Sequence, residues 1–138
     1  MLLAAASWVV GAVVTAVAVA ATIFLVPRWH RLALRWLVLV PAGLVVHDPV
    51  VLADTLMLRS DHIASVALAR ADTRAADLTG PASGYAIEVT TNRTVTAVYA
   101  PTPSEPDGRA IHLTAFLVSP SRPGRALTAA AARGLPAA

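Results

Sequence analysis

Between Met1 and Pro27 the chain carries no charged residue, and Arg28, His30, Arg31 and Arg35 then arrive close together. The apolar run Leu2–Val26 (LLAAASWVVGAVVTAVAVAATIFLV) is about 25 residues of mainly Ala, Val, Leu and Ile, enough to cross a bilayer core with some tilt. A backbone in hydrocarbon has to satisfy its own hydrogen bonds, and a helix does so within one segment. Residues 1–27 therefore read as a transmembrane anchor. Arginines at its C-terminal end hold that flank on the cytoplasmic side. Residues 28–34 are expected as a basic juxtamembrane linker, followed by one cytoplasmic domain of about 100 residues, a usual domain size.

Two other uses of the apolar run fit less well. Ala18-Val19-Ala20 before Ala21 resembles a signal-peptide cleavage site. No positive residue precedes the run, however, and it continues through Thr22–Val26. A buried helix apolar on every side belongs in a larger core than this chain offers. A start further upstream would add a helix and make this segment the second arm of a hairpin, leaving the domain's location unchanged. A second apolar stretch, Trp36–Ala53, contains Pro41, Gly43, His47, Asp48 and Pro49. Asp48 alone would cost about 3 kcal/mol at a bilayer centre, so this stretch reads as a β-hairpin turning at Pro41-Ala42-Gly43, close to a type II turn sequence but with the Gly one position late, which leaves the exact type open.

Val/Leu-rich runs separated by Pro, Gly, Asp and Ser then continue, the pattern of an antiparallel sheet. Strands are expected at Arg35–Val40, Leu44–His47, Thr55–Arg59, Ile63–Ala69, Tyr85–Thr91, Thr94–Ala100 and Ala110–Val118, with Asn92-Arg93 as a two-residue hairpin loop. Arg70–Gly84 is polar and Pro101–Arg109 (PTPSEPDGR) is Pro-rich and acidic, so both read as exposed connections. A serine cap in Ser119–Pro123 opens a C-terminal helix over 122–133, and Gly134 and Pro136 end it. Its apolar face is thin, with Leu127 and alanines. Residues 134–138 are left as a tail.

Seven strands and a C-terminal helix are the order of a pleckstrin-homology-like (PH-like) barrel. The run Trp36–Asp48 looks like the opening hairpin of such domains, Leu58–Val66 is similar to their segment with a polar pair, an Ile and a Val, and Ser119–Gly124 resembles the entry to their last helix. Over about residues 35–133 the chain thus resembles the bacterial PH-like domains of small actinobacterial membrane proteins. A GC-rich origin agrees with the composition, in which all 11 basic residues are Arg and Lys and Gln are absent. The resemblance implies a membrane-anchored, mainly β protein: a seven-stranded PH-like antiparallel barrel or sandwich with its C-terminal helix, after an N-terminal transmembrane helix. PH-like folds that bind phosphoinositides use a concentrated basic loop, which this chain lacks.

Nothing in the sequence assembles a catalytic set. There is no cysteine, hence no disulfide, thiolate ligand or thiol nucleophile. His47-Asp48 and Asp61-His62 are the His/carboxylate neighbours, but adjacent strand residues face opposite sides and cannot readily chelate one ion. Gly80-Pro81-Ala82-Ser83-Gly84 lacks the spacing of a nucleophile elbow, and the glycines form no phosphate-binding loop. Asn92-Arg93-Thr94, formally a glycosylation sequon, reads as a turn. No metal, cofactor or small-molecule substrate is expected. The formal charge of +3 is small and the arginines are scattered outside the juxtamembrane cluster, which argues against nucleic acid. Arg28, Trp29, His30, Arg31, Arg35 and Trp36 are expected at the membrane interface, where Trp prefers the headgroup layer and Arg meets anionic phosphates; Arg59 or Arg93 would extend that surface onto the domain. The expectation is a non-enzymatic interaction module with the lipid bilayer and a protein as partners. The rivals are a subunit of a larger membrane assembly and an extracytoplasmic lipid- or envelope-binding domain.

Overall fold

The computed structural model describes residues 2–137. It forms two compact units, divided after Ala33.

The first unit is one helix, α1 (Leu2–Ala33). At 1.5 Å per residue its apolar part, Leu2–Val26, rises about 38 Å, more than the hydrocarbon thickness of a bilayer. Both of its threonine hydroxyls are satisfied within the helix: Thr15 donates to the Gly11 carbonyl at 2.8 Å and Thr22 to the Ala18 carbonyl at 2.8 Å. The expected linker 28–34 is instead helical as far as Ala33, straight through Pro27. Arg, Leu and Ala propagate a helix well, and His30 and Arg31 in the last turn face the negative end of its dipole.

The second unit, from Leu34 onward, is mainly β. A three-stranded antiparallel sheet holds β1 (Trp36–Val40), β2 (Gly43–His47) and β3 (Leu56–Arg59), in that order. The expected hairpin is present, with Val40 opposite Gly43. Ala42 does not take a positive φ, which excludes the type II turn. Glycine is needed one residue later: Gly43 has φ +151°, and a Cβ there would stand 1.9 Å from the Leu58 carbonyl oxygen.

A 3-10 turn, Ser60–His62, breaks the chain away from this sheet into a second one. Its strands are β4 (Ile63–Leu68), β5 (Ala76–Asp77), β6 (Ile87–Tyr99) and β7 (Arg109–Val118), in the order β4-β6-β7-β5. Of the expected barrel or sandwich, the structure shows two sheets of three and four strands and not a closed barrel. The short β5 lies in the stretch read as a plain polar connection and pairs parallel to β7.

The hairpin expected at Asn92-Arg93 is also corrected. β6 runs unbroken for 13 residues, and a register irregularity between Thr90 and Val95 absorbs these residues. A two-residue turn of the favoured kind needs positive φ, and neither residue adopts it. Thr91 stabilises the irregularity from inside: its buried hydroxyl lies 2.7 Å from the Arg93 carbonyl and 3.1 Å from that of Thr114.

One core joins the two sheets. Leu44, Val46, Leu56 and Leu58 from the first meet Ile63, Val66, Ile87, Val89, Leu113, Phe116 and Val118 from the second. The C-terminal helix α2 (Pro123–Ala132) starts at Arg122 with Pro123 in its first turn, and no serine side chain caps it. It ends as a Schellman motif: Leu135 N–H donates to Ala130 at 3.1 Å and Gly134 N–H to Ala131 at 2.9 Å, with Gly134 at φ +75°. Residues 134–138 are no tail as far as they are described. Leu135 is buried in the core, and Val66 N–H donates to the Pro136 carbonyl at 2.8 Å on the edge of β4. Leu135 adds a buried large apolar group to the half-buried Leu127 of α2.

Candidate functional site

The residues expected at a membrane interface divide between the two units. Arg28, Trp29, His30 and Arg31 lie on the last turns of α1 with exposed side chains. Arg35 and Trp36 belong to the β domain.

Arg35 is held within the β domain by its own partners. Its Nε donates to one Asp48 oxygen at 2.7 Å, Nη2 stands 2.6 Å from the same oxygen as an ion pair, and Nη2 donates to the Thr79 carbonyl at 2.6 Å. The other Asp48 oxygen accepts the Val50 N–H at 3.1 Å. Asp48 is buried, and a charge in that position is tolerable only when paired and hydrogen-bonded. The pair thus fastens the start of β1 to the end of β2 and to the 70–84 connection.

Trp36 does face outward, half exposed. Its ring stacks on His47 across the β1–β2 ladder, centroids 4.8 Å apart. His47 Nδ1 lies 2.8 Å from the Thr55 hydroxyl. The outer side of the first sheet therefore begins with the row Trp36, His47 and Thr55. Register then sets Val38, Val45 and Met57 side by side, and after them Val40, Gly43 and Arg59. The opposite side chains, Leu37, Leu39, Leu44, Val46, Leu56 and Leu58, belong to the core or pack against it. The inner face is apolar, and the outer face mixes Trp36, Val38, Val40, Val45 and Met57 with His47, Thr55 and Arg59. The sequence signal for it was available: Trp36–Val40 has no polar member, so no side of β1 is marked for water.

The remaining candidates are occupied locally. Arg59 Nε donates to Asp61 at 3.0 Å; this bond raises the Arg59 pKa and holds the Asp61 carboxyl below the ordinary range. Asn92 fixes the turn by donating to the Asp61 carbonyl at 2.7 Å. His112 Nδ1 lies 3.1 Å from the Thr96 hydroxyl, and Arg93 stands exposed. His47-Asp48 and Asp61-His62 are not brought together as a ligand set. Among the described residues no three His, Asp or Glu side chains cluster so as to hold a metal ion.

Fold and site thus define a mainly β domain following an N-terminal helix long and apolar enough to cross a membrane, a length and composition that a signal sequence shares. No family model, curated protein or solved structure matches the chain.

Proposed function

We propose that this protein is a non-enzymatic, membrane-anchored interaction module that presents a PH-like β domain to the cytoplasm. The observation that carries the reading is the contrast between its two units. The β domain buries its own core, whereas from Ser7 onward the apolar stretch of α1 has none of its described side chains covered. A helix apolar on all sides and covered by nothing belongs in lipid. Pro27 lies at the end of the apolar run, and Arg28, Trp29, His30 and Arg31 follow in the order headgroup, aromatic belt and cytoplasmic flank require. For the non-enzymatic part, the support is that Asp48, Asp61 and His47 are engaged with Arg35, Arg59 and Thr55 rather than aimed into a cleft.

The test is topology. Reporter fusions after Pro27 and at Ala138 are scored for cytoplasm against exterior, alongside extraction of membranes with alkaline carbonate. Carbonate-resistant protein with a cytoplasmic C-terminus is expected. A cleaved, soluble product or an exterior C-terminus would overturn the reading and favour a secreted or envelope-facing domain.

A further inference from the structure

We propose that the outer face of the first sheet lies on the bilayer surface, so that the β domain contacts lipid as well as being tethered to it. The proposal rests on the membrane-anchored reading above. Three features of the face carry it.

The first is composition. Across nine positions in three cross-strand rows, the face presents Trp36, His47 and Thr55, then Val38, Val45 and Met57, then Val40, Gly43 and Arg59. Trp36, Val38 and Met57 are 45%, 39% and 70% exposed and form its accessible apolar surface, while Val45, between Val38 and Met57, is covered and only 7% exposed. Exposed Trp, Val and Met side chains grouped on one face mark a candidate interaction surface, and Trp beside His is what a headgroup layer takes up, an apolar ring with a polar edge.

The second is charge. No carboxylate stands on these nine positions, and the two ionisable side chains, His47 and Arg59, are of the sign that anionic headgroups attract. Asp61 pairs with Arg59 from the following turn, at the border of the face.

The third is reach. Trp36 follows Ala33, the last residue of α1, by three positions. The chain therefore cannot carry it more than about 11 Å from the helix end. Ala33 itself lies seven residues, about 10 Å of helix, beyond the end of the apolar run at Val26, and a face tethered that closely to a membrane anchor meets the interface at a very high effective concentration. A soluble protein partner would have to compete with lipid that is always present.

The chain has no cysteine, so single labels are easily placed. Full-length Met57→Cys and Val38→Cys carry the environment-sensitive fluorophore NBD, with Thr96→Cys, an exposed position on β6, as reference. Each is reconstituted into vesicles of phosphatidylethanolamine and phosphatidylglycerol and floated on a density gradient. The expected result is co-flotation of all three, with blue-shifted emission at positions 57 and 38 that bromine-labelled acyl chains quench, and neither effect at 96. Flotation with water-exposed labels at 57 and 38 would overturn the lipid-contact proposal and leave the anchor intact. A blue shift that bromolipid does not quench would also overturn it, assigning the face to a protein or a second copy. Failure to float would overturn the anchor itself.

Discussion

Arg35 and Asp48 form an ion pair at 2.6 Å in which the carboxylate side chain is 7% exposed and the guanidinium 18%. The arginine nearest the β domain in the juxtamembrane series is therefore spent on folding. Its partner lies at the end of the opening hairpin, and its second acceptor, Thr79, sits beyond β5.

Removing either partner strands the other in a place where water cannot solvate it. Arg35→Ala and Asp48→Ala are each expected to cost about 3–5 kcal/mol of domain stability. The double variant should lose clearly less than the sum of the two. Urea melts of the detergent-solubilised chain read this directly. A headgroup role for Arg35 would instead lower membrane retention and leave the melts unchanged.

Glycine substitutions should have opposite signs at two positions. Gly43→Ala places a methyl 1.9 Å from the Leu58 carbonyl oxygen, at the ladder between β2 and β3, and at φ +151°. Backbone atoms on both strands would have to move, and a loss above about 2 kcal/mol is expected, in the range of severe single changes. At Gly124, in the first turn of α2, an added Cβ meets nothing within 4 Å and φ is ordinary for a helix. Gly124→Ala should stabilise by about 0.5–1 kcal/mol through helix propensity. Thermal melts of the two variants check both signs.

What the sequence made legible followed from strong local signals. The uncharged run gave α1, Pro41 and Gly43 gave the first hairpin, and Gly134 gave the end of α2. What it hid depended on distant partners. Arg35 looked like a membrane cation because the carboxylate that claims it lies 13 residues on and its carbonyl acceptor 44 residues on. Asn92-Arg93 looked like a turn because the Thr91 hydroxyl, which holds β6 together there, also uses Thr114 from another strand. In β4, a bulge between Ile63 and Ser65 lets Ile63 and Val66 both face the core, which conceals the strand alternation. The lipid-facing candidate was half legible: Arg28, Trp29, His30 and Arg31 could be read directly, whereas Met57 joins Val38, across the covered Val45, only through cross-strand register.

The Asp77 carboxylate is held below the ordinary carboxylate range, first by the Thr79 hydroxyl at 2.6 Å and then by the Thr79 N–H at 2.8 Å. Both bonds favour the charged form. Their contribution to stability is therefore present above the unfolded-state value of about 3.9 and disappears as pH falls through the lower folded-state value. Carboxyl carbon shifts followed by NMR should show Asp77 titrating at more acid pH than a free aspartate. Thr79→Val should move it part of the way back, because the backbone donor remains. An unchanged midpoint would assign the shift to the backbone bond alone.

The final residues should behave as part of the core. Leu135 is 5% exposed and packs with the cluster that includes Ala130 and Val66, and Pro136 and Ala137 run along β4, the edge strand of the second sheet. Leu135→Ala is expected to cost about 2–5 kcal/mol, as for a buried leucine whose site cannot collapse. Deleting residues 134–138 should cost more. It also removes the acceptor for Val66 N–H and uncovers the β4 edge, an invitation to strand-to-strand association. Size-exclusion chromatography in detergent should then show oligomers for the truncated chain that Leu135→Ala alone does not form. An unchanged melting curve and elution volume after truncation would return these residues to the status of a tail.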